Sequence, residues 1–333
     1  MHRFRRALVV GINTYNYASK LSGCVADAEA MANVLKQHAD SERNYDCRLL
    51  VDKVGGEPIT RNALFNACEE LFANFREDVL FFFSGHGMLT PYGGFLCAYD
   101  SDRSNWGVPM EQIVRMANAS QARDIVMILD CCHAGDFANP ALLPAGGGQN
   151  AFTLLRENMT VIAASLSTQA SLEMDGHGLF TKAVVDALHG GAADPMGWVT
   201  APAIYAYVER RFGAFDQRPV YKSFATGVSV IRKCVPLVER LKLGQLVDLF
   251  ETADYRYQLD PEFEPEDERG RIHEPINKEK VAIAILFKVY RDAGLLKPTI
   301  PDEQLYWTAR FSHTVELTMR GREYWWLVKN KLI

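Results

Sequence analysis

The stretches Phe81-Phe82-Phe83-Ser84-Gly85-His86-Gly87 and Ile125-Val126-Met127-Ile128-Leu129-Asp130-Cys131-Cys132-His133-Ala134-Gly135 decide the fold. Each is an apolar run without alternation that stops at small or reactive residues, the pattern of a parallel strand covered on both faces. One run delivers a histidine at its end, the other a cysteine. Neighbouring strands lie about 4.8 Å apart, so if these two are neighbours His86 and Cys132 emerge side by side. Open α/β sheets bind ligands in the crevice beyond the carboxyl ends of their strands. A thiol beside an imidazole there is the outline of a cysteine nucleophile with its base.

Outward from these runs, residues 1–235 alternate strand-like segments (7–12, 47–51, 79–84, 125–130, 159–164, 228–232) with helix-like ones (23–37, 61–75, 110–117, 179–188, 202–212). In the latter, apolar residues recur at three- and four-residue steps. Thr60 and Thr200 stand at helix-cap positions. The alternation predicts an α/β domain with a mostly parallel, six-stranded sheet between helices. Two insertions interrupt it. Residues 87–100, with Pro91-Tyr92-Gly93-Gly94, read as a hairpin, and 137–150, rich in Pro, Ala and Gly, as a functional or disordered loop.

A second unit is expected over 236–333. Helix-like segments at 237–250 and 280–293 flank an acidic stretch at 259–275; a strand, a turn at Gly321 and a terminal helix follow, with Trp325-Trp326 packing a small core. Helices followed by a small β element predict an α+β, winged-helix-like module.

Composition narrows the class. The 333 residues are 48% hydrophobic and carry a net charge of −5, so nucleic acid is not the expected partner. Arg320, Arg322, Lys329 and Lys331 in the tail read as a solvated helix face. Seven cysteines, an odd number without a repeating framework, suit a reducing cytoplasm. The basic start before residues 7–12 lacks a leader's long apolar core and cleavage site, so it reads as the approach to a first strand. No uncharged apolar run reaches the roughly 20 residues a membrane helix needs.

A thiol of pKa about 8.5 is only a few per cent thiolate at neutral pH, so Cys132 needs a base, and His86 can supply it. Gly85 and Gly87 leave the backbone free to turn and admit a substrate. The N–H groups of Gly87 and Cys132 are candidate donors to an oxyanion. Cys131, Cys132 and His133 are an alternative zinc-ligand set, but paired C-x-x-C elements at loop spacing are absent.

On these motifs the chain resembles caspase-like cysteine peptidases, and metacaspases with their prokaryotic relatives more than animal caspases. Further matching residues are Ala7-Leu8-Val9-Val10-Gly11-Ile12-Asn13, Leu21-Ser22-Gly23-Cys24-Val25-Ala26-Asp27-Ala28 and Gly178-Leu179-Phe180-Thr181. The resemblance covers roughly residues 1–235. It implies a His86–Cys132 dyad that cleaves peptide bonds through a thioester, with Cys131 a variable neighbour that does no chemistry. Strand alternation gives the same preference, since only one of two adjacent thiols can meet His86.

Where animal caspases carry glutamine two residues before the nucleophile, this chain has Asp130. The metacaspase resemblance implies that Asp27 and Asp130, with Cys24 and Ser84, line a pocket for Arg or Lys; paired carboxylates can grip a guanidinium by two parallel bonds. The plainer alternatives are that Asp27 is a solvated acid early in a helix and that Asp130 is bonded to nearby backbone N–H groups. Asp175 and His177 are read as shaping the cleft. Calcium-dependent metacaspases have acidic clusters that 108–111 and Asn139 do not reproduce, and Asp100 with Asp102 falls short of six to eight ligands. No cofactor is expected, calcium included.

No Lys or Arg lies between His133 and Arg156, so an Arg-specific enzyme cannot cut itself within 137–150. Arg156, Arg269 and Arg271 are the candidate processing sites. Latency is expected, relieved by an upstream protease or by a regulatory protein acting through the C-terminal unit. Two function classes stand: a cysteine endopeptidase acting on proteins or peptides with a basic residue at the cleaved position, and a catalytically silent caspase-fold scaffold for protein–protein interaction.

Overall fold

The computed structural model describes residues 5–52, 55–131, 155–164, 173–174, 177–212, 218–266, 270–272 and 275–333. The chain divides into two compact units, Met1–Ala193 with Trp198–Cys234, and Asp194–Gly197 with Val235–Ile333.

In the first unit, β1 (Arg6–Gly11), α1 (Cys24–Lys36), β2 (Asp46–Val51), α2 (Arg61–Phe72) and β3 (Val79–Ser84) lead into a hairpin of β4 (Gly87–Thr90) and β5 (Gly93–Leu96). After it come β6 (Val108–Pro109), α3 (Met110–Ala119), β7 (Ile125–Asp130) and β8 (Met159–Ala163). The unit closes with β9 (Glu173–Met174), β10 (His177–Gly178), α4 (Leu179–Asp186), β11 (Trp198–Thr200), α5 (Ala201–Glu209), β12 (Val220–Phe224) and β13 (Val230–Lys233). Six strands form one sheet in the order β12-β8-β7-β3-β1-β2, parallel throughout except for β12.

Alternate residues of the central strands feed opposite cores. Leu8, Val10, Phe81, Phe83, Met127 and Leu129 pack with residues of α2 and α3. Val9, Leu80, Phe82, Val126 and Ile128 pack with α1, α4 and α5. With both faces covered, neither needs polar residues, which is why the runs do not alternate. Gly11 pairs with Ser84 and Ser84 with Asp130, so β1, β3 and β7 end level on one rim.

The expected sixth strand at 228–232 is a correction. Residues 230–232 of that segment lie in β13 (Val230–Lys233), which pairs with β11 in a separate two-stranded sheet, and the sheet is completed instead by β12. As an edge strand β12 has one neighbour and partly exposed faces, so it carries Lys222 and Ser223 and loses the apolar-run signature of its partners.

Local chemistry explains how α1 meets the rim. Gly23 at its N-cap has no side chain, and Asn13 Oδ1 accepts from the N–H groups of Cys24 (2.9 Å) and Val25 (3.3 Å) instead. Asp52 Oδ2 accepts in turn from Asn13 N and Thr14 N, both at 2.7 Å. Thr60 and Thr200 cap α2 and α5 as expected. Gly11 allows the close approach: a Cβ there would sit 2.2 Å from the Cys24 carbonyl oxygen, a backbone atom that cannot swing aside. Gly11→Ala is therefore expected to cost about 1–3 kcal/mol as overpacking. A lower urea midpoint at unchanged slope checks this, and an unchanged midpoint refutes it.

The second unit holds α6 (Arg240–Gly244), α7 (Leu246–Leu249), β14 (Arg256–Gln258), α8 (Lys278–Asp292), β15 (Leu296–Pro298), α9 (Leu305–Arg310), β16 (Thr314–Leu317) and α10 (Met319–Lys329). Its sheet order is β14-β16-β15, antiparallel. Phe250, Tyr257, Phe263, Phe287 and Tyr290 form an aromatic core. Gly321 is no turn but lies inside α10, where a Cβ would fall 1.9 Å from the Leu295 carbonyl oxygen. Close approach, not chain reversal, explains that glycine. Of the two tryptophans only Trp325 is tied inward, donating to the Phe250 carbonyl at 2.7 Å, whereas Trp326 is 54% exposed. No helix among the described residues is long and apolar enough to cross a membrane.

Candidate active site

His86 leaves the end of β3 and is gripped by the loop that follows β1. Its Nε2 lies 2.8 Å from the Ser19 carbonyl oxygen and 3.5 Å from Ser19 Oγ. A carbonyl can only accept, so Nε2 carries a proton, and in the neutral ring Nδ1 is the nitrogen left to accept one. The His86 N–H donates to the Tyr15 hydroxyl at 2.8 Å, and the two rings stand 4.6 Å apart. On its other side the His86 carbonyl accepts from Cys97 N at 2.9 Å. That bond makes Gly87 and Leu96 a non-hydrogen-bonded pair of the antiparallel hairpin, leaving the Gly87 N–H out of the ladder.

The same rim carries two buried acids. Asp27, in the first turn of α1, is 2% exposed; Asp130, at the end of β7, is 8% exposed. Ser84 Oγ donates to Asp27 Oδ2 at 3.1 Å and the Gly178 N–H to Asp27 Oδ1 at 3.2 Å. Thr181 donates to Asp130 Oδ2 twice, from its hydroxyl at 2.6 Å and its N–H at 3.2 Å. A Cβ on Gly178 would lie 2.7 Å from Asp130 Oδ2 and 3.2 Å from Asp27 Oδ2, so both carboxylates converge on one spot that glycine leaves open. Burial pushes the Asp130 carboxyl up to about 6, with Asp27 adding to the rise and Thr181 opposing it.

Asp27 is thus not the solvated acid of the plainer alternative. Asp130 does bond a backbone N–H, at the start of α4, as that alternative held. Cys24, at the start of α1, is also buried. Cys131 is 5% exposed and packs in the core with Leu129 and Tyr15, away from any role as an open nucleophile. Cys132, His133, Asn139, Asp175, Arg269 and the side chain of His177 lie outside the described residues.

Of the processing candidates, Arg271 is exposed. Arg156 is tied down: its guanidinium donates to the carbonyls of Ser120 (2.6 Å), Ala122 (2.5 Å) and Glu157 (3.0 Å), and its N–H to Asn118 Oδ1. Asp100 accepts from the Arg61 N–H at the start of α2 and Asp102 from the Asn105 N–H in a turn, and among the described residues no three His, Cys, Asp or Glu side chains are grouped to hold a metal. Tyr15, Ser19 and Thr181 as partners of His86 and Asp130 were not readable from the sequence, since each acts across elements far apart in the chain.

A family model described as the caspase domain, peptidase C14, matches residues 4–228, and the chain belongs to that family. The crystal structure of protein GSU0716 from Geobacter sulfurreducens is similar, at 17% identity and a TM-score of 0.51, over 70% of this chain and 98% of that one; the likeness is one of fold. No curated protein matches the chain.

Proposed function

We propose that the chain is a cysteine endopeptidase, metacaspase-like in preference, that cleaves proteins after Arg or Lys through a His86–Cys132 dyad. One observation carries the reading: His86 has Nε2 committed to the Ser19 carbonyl, which leaves Nδ1 as the nitrogen to take a proton, on the same rim as two converging buried carboxylates. His86 and Cys132 each follow by two residues the register partners Ser84 and Asp130.

His86 Nδ1 takes the Cys132 thiol proton, and the thiolate attacks the carbonyl carbon of the basic residue held by Asp27 and Asp130. The N–H groups of Gly87 and Cys132 receive the oxyanion. Collapse breaks the C–N bond as the imidazolium protonates the leaving amine. The remaining thioester is hydrolysed by a water that gives its proton to His86, which restores the thiol. No cofactor enters this scheme.

The thiols of Cys47, Cys68 and Cys234, outside any disulfide, support a reducing, cytoplasmic setting. The three-stranded sheet and helices of the second unit support a winged-helix-like regulatory module that keeps the enzyme latent or recruits its activator or target. A fluorogenic panel with Arg, Lys, Asp or Leu at the cleaved position, with and without calcium, tests these points on wild type, Cys132→Ala and a chain ending at Cys234. Hydrolysis after Arg and Lys, lost in Cys132→Ala, is expected. Cleavage after Asp alone refutes the pocket, activity in Cys132→Ala refutes the nucleophile, and identical rate and target choice in the shortened chain refute the regulatory role.

A further inference from the structure

We propose that Tyr15 is a positioning residue for His86, holding the histidine by its backbone and by one face of its ring so that Nδ1 stays the nitrogen open to act as base. This rests on the reading of His86 as the general base. Tyr15 lies in the loop between β1 and α1 and is 5% exposed. Its hydroxyl is fully engaged: the oxygen accepts from His86 N at 2.8 Å and the proton goes to the Ile12 carbonyl at 3.0 Å. Its ring centroid stands 4.6 Å from that of the imidazole, with the planes inclined by 52°.

The residue before the histidine is shaped to this phenol. A Cβ on Gly85 would lie 2.6 Å from the Tyr15 hydroxyl oxygen and 3.0 Å from Phe83 Cζ, so glycine makes the room in which the hydroxyl reaches the next N–H. Burial drives the ionisation of Tyr15 far above its usual range, so it stays neutral and transfers no proton itself. It acts through His86 alone. With Ser19 of the same loop holding Nε2, the histidine is restrained at its backbone, its ring face and its outer nitrogen. A ring turned over would present an N–H to the cysteine and lose the base. A tyrosine that only filled the core would need no hydroxyl at this point.

The test compares full-length wild type, Tyr15→Phe and His86→Ala. It reads kcat and KM on an Arg peptide, the melting temperature, and the pH dependence of Cys132 alkylation by iodoacetamide, located by mass spectrometry. In Tyr15→Phe, kcat is expected to fall about tenfold or more, with KM within about twofold. The alkylation midpoint is expected to move from its wild-type value toward that of an unassisted thiol, about 8.5. A lower melting temperature with kcat and midpoint unchanged assigns Tyr15 a structural role only and overturns the proposal. A midpoint that His86→Ala leaves where wild type has it overturns instead the reading of His86 as base. If Tyr15→Phe does not fold, Gly85→Ala, which presses on the hydroxyl from the other side, is read by the same midpoint, and an unshifted value there counts against the proposal.

Discussion

Hydrolysis of an Arg peptide by His86→Ala is expected to run about 10³-fold slower than wild type at pH 7, and part of that deficit should disappear as the pH is raised toward 9. Two tasks are lost with the imidazole. The first is ionisation of Cys132, which unaided leaves only a few per cent thiolate at neutral pH for a pKa of about 8.5. Raising the pH restores this part, because hydroxide does what Nδ1 did. The second is protonation of the leaving amine, which high pH does not restore. The variant's kcat/KM should therefore climb through pH 8 to 9 while staying below wild type. Profiles of kcat/KM from pH 6 to 9 check both parts. A deficit under tenfold, or one that ignores pH, would show that another group is the base.

The parallel part of the sheet was legible because burial on both faces leaves long apolar runs, and the runs of β1, β3, β7 and β8 are just that. β12 was not, because an edge strand exposed on one side carries Lys222 and Ser223 and looks like a loop. Gly321 was misread for a related reason. A glycine in sequence marks either a turn or a close contact, and only the Leu295 carbonyl above it tells which. In the site, His86, Asp27, Ser84 and Asp130 were readable as chemical groups at strand and helix ends. What the sequence could not supply was the arrangement that sets their state: Ser19 fixing the tautomer, Tyr15 bracing the ring, Thr181 and Gly178 bonding the acids. Those partners lie 67 to 151 residues away for the Ser19, Tyr15 and Gly178 bonds, and no local pattern joins them.

Asp130→Asn is expected to lose selectivity and gain stability, and the opposite signs separate a receptor from a structural acid. An arginine bound between Asp27 and Asp130 that loses one partner forfeits about 2–5 kcal/mol, tens- to thousands-fold in kcat/KM. A peptide with leucine at the cleaved position should scarcely change. Asp27→Asn should behave likewise toward substrate, since both carboxylates face the same spot. The pH dependence follows from the Asp130 carboxyl, which burial raises to about 6. Below that pH the free pocket holds a proton that an incoming guanidinium must expel, so KM for the Arg peptide should rise as pH falls through 6 while the Leu peptide does not share the effect. For stability the sign is reversed. Below about pH 4 the carboxyl is protonated in folded and unfolded chains alike. Between about pH 4 and 6 the unfolded chain loses this proton while the buried carboxyl keeps it, so roughly 2–3 kcal/mol is lost across that window and no more above it. Asparagine removes that loss and still accepts the Thr181 hydroxyl, so the variant should unfold at higher urea at pH 7 and near wild type at pH 4. A variant less stable at pH 7 with Arg preference intact would make Asp130 a cap for α4 and nothing more.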